Sequence, residues 1–89
     1  MRSLRRTKDE DAMSRIDQLG AQIERVAGTT VQYEIASCFL DGEWRARVTI
    51  IFGTPPHVRR YGATGAGETH THALTAGLSS ILDYLRRRT

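Results

Sequence analysis

The sequence predicts an α+β domain of order α-β-β-β-α, a three-stranded antiparallel sheet with two helices packed on one face. Three observations carry this. The stretch Val31 to Phe52 closes on itself as a β-hairpin, an amphipathic stretch with a capping signal precedes it, and a second amphipathic stretch follows a glycine-rich run. Apolar residues recur at helical spacing in the outer two segments and alternate in the middle one, which separates helix from strand.

The first helix starts from Thr7-Lys8-Asp9-Glu10, a capping box in which the Thr7 hydroxyl accepts from the Glu10 amide and the Glu10 carboxylate accepts from the Thr7 amide. Asp9, Glu10 and Asp11 put negative charge in the first turn, where the helix dipole favours it. Ala12, Met13, Ile16, Leu19, Gly20, Ile23, Val26 and Ala27 follow at three-and-four spacing, and Gly28 stops the helix.

In the hairpin, Asp41-Gly42 suits the centre of a type I′ turn, where both residues need positive φ. Pairing then sets Phe39 opposite Trp44, Ser37 opposite Ala46, Ile35 opposite Val48, Tyr33 opposite Ile50 and Val31 opposite Phe52. Strand alternation puts all of these on one face, expected to be the core face. Gln32, Glu34, Ala36, Cys38, Arg45, Arg47 and Thr49 take the other face, with Ile51 a misfit among them. A slip by one residue would invert both faces, so the pattern fixes the register.

Gly53-Thr54-Pro55-Pro56 ends the second strand, and a short third strand is expected over roughly His57 to Ala63. Thr64-Gly65-Ala66-Gly67 then reads as a turn, with Thr69 as N-cap of the second helix. That helix carries Ala73, Leu74, Gly77, Leu78, Ile81, Leu82 and Leu85 as apolar positions, and Arg86, Arg87 and Arg88 complement its C-terminal dipole. Residues 1–6 are expected to form a flexible basic tail and residues 7–89 a single domain.

The element order and the run Gly65-Ala66-Gly67-Glu68-Thr69-His70-Thr71-His72-Ala73 resemble the double-stranded-RNA-binding domain. Gly65, Gly67, Thr69, Ala73, Ala76 and Ile81 sit where that family wants small, capping or apolar residues. The resemblance implies the same fold and, in the family, a lysine clamp on phosphates at the start of the second helix. Here His70, Thr71 and Leu74 stand at those positions and cannot supply it, so counterion release would be largely absent at this spot. A looser resemblance links the glycine-rich turn and following helix to the allosteric dimerisation domain of isopropylmalate synthase, whose repeat leaves the first helix unexplained.

At 89 residues the chain is large enough for one core but not for a buried catalytic cavity with lids. Its 39% hydrophobic and 26% charged content fits a globular chain, and no apolar run approaches the ~20 residues of a membrane span. A single cysteine, Cys38, excludes an internal disulfide and suggests a reducing, cytoplasmic setting. Cys38 lies opposite Arg45, which could lower a thiol pKa, but no base pairs with it. His70 and His72 point about 200° apart on a helix and cannot share one metal ion there. Gly65-Ala66-Gly67 lacks the length and lysine of a phosphate-binding loop, and close backbone approach to the sheet explains it better. No carboxylate pair or Ser-His-Asp set can be placed, so neither enzymatic activity nor a cofactor is expected.

Two functions remain. The first is protein–protein contact or homodimerisation through a leucine stripe on the second helix, Leu74, Leu78, Leu82 and Leu85, in surplus to what the sheet needs. The alternative is RNA or DNA binding through Arg2, Arg5, Arg6, Arg45, Arg47, Arg59, Arg60, Arg86, Arg87 and Arg88. The net charge of +3 and a pI near 9.6 favour a polyanionic partner in that case.

Overall fold

The computed structural model describes residues 8–88, with side chains from Ser14 onward. Thr7 of the capping box, the arginines of the tail, and Ala12 and Met13 of the apolar stripe therefore lie outside the described residues or side chains. Five elements follow in the expected order: α1 (Lys8–Ala27), β1 (Gln32–Leu40), β2 (Glu43–Phe52), β3 (Arg59–Gly67) and α2 (His70–Arg88). The strands form one antiparallel sheet in the order β1-β2-β3, with both helices on one face.

Local chemistry sets the boundaries. Gly28 takes φ +80° and its amide donates to the Glu24 carbonyl oxygen at 2.9 Å, ending α1 as only a residue free of a Cβ does cheaply. Asp41 and Gly42 take φ +54° and +81°, the two positive angles of a type I′ turn. The β1–β2 register is the expected one, from Phe39 opposite Trp44 to Tyr33 opposite Ile50, and it ends at Gln32 opposite Ile51, one pair short of Val31 and Phe52. At α2 the Thr69 hydroxyl accepts from the His72 amide at 3.1 Å, which makes it the N-cap.

The third strand departs from expectation. It runs Arg59–Gly67 rather than His57–Ala63, and Thr64-Gly65-Ala66-Gly67 is strand, not turn, paired with Arg47, Ala46, Arg45 and Trp44. The reason is steric. A Cβ on Gly65 would collide with the Ala73 carbonyl oxygen and the Gly77 nitrogen, and one on Gly67 would stand 2.7 Å from the His72 Cβ. The glycines let α2 lie almost on the backbone of β3. The same pairing removes Gly65–Gly67 as an anion cradle.

The core is Leu19 and Ile23 from α1, Val31, Val48 and Ile50 from the hairpin, and Leu78, Ile81, Leu82 and Leu85 from α2. Every one of these comes from α1, α2, β2 or the residue just before β1. The whole of β1 is exposed, whereas β2 buries Ala46, Val48 and Ile50. The expectation that Tyr33, Ile35 and Phe39 are committed to the core is thus corrected: they sit on the inner face but stay 38%, 47% and 59% exposed.

We expect Gly65→Ala to destabilise the fold by about 3 kcal/mol, because backbone atoms of α2 have nowhere to move. Gly62→Ala on the same strand, where the nearest side-chain atom is Thr49 Oγ1 at 3.4 Å, should shift stability by less than about 1 kcal/mol. Urea unfolding of the two variants measures the difference.

Candidate interaction surface

The division of labour on α1 explains why β1 stays open. Leu19 and Ile23 turn toward α2 and are buried, while the flank facing β1 shows Ile16, Asp17, Gly20, Ala21 and Glu24. Of these, Glu24 reaches only the start of the strand, and the small side chains leave the rest of it uncovered. Between them and Tyr33, Ile35, Leu74 and Leu78 runs an open groove of about 440 Å³. A Cβ on Gly20 would stand 3.4 Å from Tyr33 Oη, so the tyrosine tip meets the helix while the rest of the strand does not.

The inner face of β1 is largely open, both along the groove and beyond it at Phe39. Tyr33 is 38% exposed, Ile35 47% and Phe39 59%. Taking each side chain at about 200 Å², these three leave on the order of 300 Å² of apolar surface open, as much as the largest patch of many monomers. At the hairpin tip Phe39 packs edge-on against Trp44 at 5.6 Å between centroids, and Trp44 meets His70 at 5.5 Å, so Trp44 is half-buried between two rings. Leu40, on the opposite face at the tip, is also exposed.

Glu24 anchors the start of the strand, its Oε2 accepting from the Val31 amide at 3.3 Å. Partial burial, and secondarily the Glu24 carboxylate, hold the Tyr33 phenol above its ordinary value of 10.0. Burial favours the neutral form, so the benefit is whole below pH 10 and is lost as pH rises through the folded value.

The leucine stripe sits elsewhere than its proposed role requires. Leu78, Leu82 and Leu85 are 3%, 3% and 5% exposed within the single chain, and Leu74 is half-buried on the groove wall. They are the seam between α1 and α2. The open apolar surface is on β1, which sequence reasoning assigned to the core. The available signal was the run Asp17, Gly20, Ala21, Glu24, too small and too acidic to cover a strand.

The basic residues are dispersed. Arg45 and Arg47 share the outer sheet face with Arg60, and Arg59 falls on the inner face opposite Phe52. Arg45 reaches Glu43 at 3.5 Å and Asp41 at 3.8 Å, and Arg60 reaches Glu34 at 3.8 Å. Arg47 and Arg60 line a shallow outer groove with Thr49, Gly62, Ala63 and Thr64. At the end of α2, Arg86 Nη2 donates to Gln22 Oε1 at 3.0 Å, Arg87 Nε donates to the Asp83 carbonyl at 3.4 Å, and Arg88 lies over the Tyr84 ring at 5.6 Å. Arg2, Arg5 and Arg6 lie outside the described residues.

Among the described residues no group of three or more His, Cys, Asp or Glu is placed to hold a metal ion. Nor is any described helix long and apolar enough to cross a membrane. No family model, no curated protein and no solved structure matches the chain.

Removing the Glu24 charge with Glu24→Gln should lower the Tyr33 titration toward 10.0 without reaching it, since burial, the larger cause, remains. Site-resolved NMR titration reads the shift directly.

Proposed function

We propose that the protein is a non-catalytic association module whose contact surface is the uncovered flank of β1. The observation that carries this is the exposure of Tyr33, Ile35 and Phe39 on an edge strand whose inner face the described side chains leave largely uncovered. Large apolar side chains left open together mark contact surfaces on small soluble domains. The reading keeps protein–protein contact or homodimerisation as the function and moves the surface from the leucine-rich helix to the first strand.

A second reading, nucleic-acid binding, draws on Arg47 and Arg60 in the outer groove and on the arginines that end α2. Arg47 has no carboxylate partner among the described residues, which leaves its charge free for a phosphate. The outer face of the hairpin offers no aromatic ring for base stacking, since Tyr33, Phe39 and Trp44 are all on the other face.

Phe39→Lys should weaken self-association about 30-fold, the equivalent of roughly 2 kcal/mol at a hot spot, while moving the melting temperature by less than about 3 °C. Sedimentation velocity against concentration measures the first, and a thermal melt the second. Association that persists unchanged in Phe39→Lys and Ile35→Lys would rule out β1 as the surface.

For the second reading, a gel-shift series with RNA and DNA across rising salt decides. The association reading expects no retention near physiological ionic strength. Retention there with a steep salt slope would favour the arginines.

A further inference from the structure

Among the described residues the sheet has two unpaired edges, β1 and β3, and only one is guarded. β3 begins with Arg59-Arg60 and carries Gly62, Gly65 and Gly67, a combination of charge and missing side chains that discourages strand addition. β1 has no lysine, no proline, no glycine and an unbroken register with β2, so it carries no bulge. Its single charge, Glu34, already has Arg60 at 3.8 Å. Such an edge presents a straight row of unpaired backbone donors and acceptors.

Resting on the association reading above, we infer that the partner of this edge is a second copy of the chain, with the two β1 strands pairing antiparallel about a two-fold axis at Ala36. The two-residue turn makes Leu40 and Glu43 the closing hydrogen-bonded pair. Alternation then turns the amides and carbonyls of Gln32, Glu34, Ala36, Cys38 and Leu40 toward β2. Those of Tyr33, Ile35, Ser37 and Phe39 turn toward the open edge. A two-fold axis always pairs an odd position with an odd one, so any such register matches open groups with open groups. The register centred on Ala36 overlaps the full strand, Gln32 to Leu40, and forms about eight backbone hydrogen bonds.

Side chains fit that register on both faces. On the inner face Tyr33 meets Phe39 of the second copy and Ile35 meets Ser37, an aromatic pair flanking an aliphatic centre with no charge among them. On the outer face Ala36 meets Ala36, and Glu34 meets Cys38. The two Glu34 carboxylates stand four residues apart along the seam, roughly 13 Å, beyond the screening length at physiological salt. The result is a continuous six-stranded sheet whose central seam sets the exposed inner-face residues of the two copies side by side, each flanked by a cross-strand neighbour.

Ala36 on the axis gives a direct test. The pair there is a non-hydrogen-bonded one with close Cβ atoms, a geometry a disulfide accepts, whereas the two native Cys38 thiols lie roughly 13 Å apart. Full-length Ala36→Cys in a Cys38→Ser background should form covalent dimer under mild oxidation. It should yield about tenfold more than Gln32→Cys in the same background, while wild type stays uncrosslinked. Sedimentation of the reduced proteins runs in parallel. A β1-dependent dimer without cross-linking at position 36, or one bridged through native Cys38, would overturn the edge pairing and leave the association reading standing. A chain that stays monomeric at every concentration would overturn that reading itself.

Discussion

The fold hangs on the near-contact between β3 and α2 at Gly65 and Gly77. A helix normally rides about 10 Å above a sheet, held off by side chains. Here the backbone of α2 comes so near that a Cβ on Gly65 would occupy the space of Gly77 nitrogen and the Ala73 carbonyl, and a Cβ on Gly77 would stand 3.0 Å from Val48 Cγ2. This approach fixes α2 over β2 and β3, where Ala46, Val48 and Ile50 are fully buried. Once α2 is there, its leucines can only face sideways, and α1 is what they meet.

From that placement the open surface follows. α1 spends its large residues, Leu19 and Ile23, on the leucine seam and turns Gly20 and Ala21 to β1. Two helices would be wide enough to cover three strands if both lay flat on the sheet. In this chain α1 is held by α2 instead, and among the described residues it meets β1 through the groove, the Gly20–Tyr33 approach and the Glu24 anchor on the Val31 amide. The same geometry that makes the core dense at one edge makes the sheet bare at the other.

Much of this was legible in the sequence, and what was not has a physical cause. The hairpin register could be read because turn chemistry and alternation agree on it, and both are local. Thr69 and Gly28 could be read as caps for the same reason. The third strand was misplaced because glycine is a turn signal in local chemistry, and only a helix pressed on top of it turns Gly65 and Gly67 into strand residues. The exposure of β1 was not legible because alternation says which residues share a face but not whether anything covers that face. Coverage is a tertiary property, and it depended on the small residues Gly20 and Ala21 four turns into a helix whose stripe otherwise looks complete. The leucine stripe is largely buried within the single chain by the converse logic, since its surplus was measured against the sheet alone and α1 absorbs it.

Folding alone does not account for the composition of β1. A strand that contributes nothing to the core could carry threonine, glutamate and lysine on its inner face at little cost in stability, and edge strands commonly do. This one carries tyrosine, isoleucine and phenylalanine at 38%, 47% and 59% exposure. Each costs solubility and invites aggregation in the free chain. The guarded edge at β3 shows that the same sheet can be protected where pairing is unwanted. On the proposed association reading, an unguarded edge with an aromatic inner face is half of a contact, and the even spacing of Tyr33, Ile35, Ser37 and Phe39 about Ala36 makes the same strand reversed the simplest other half.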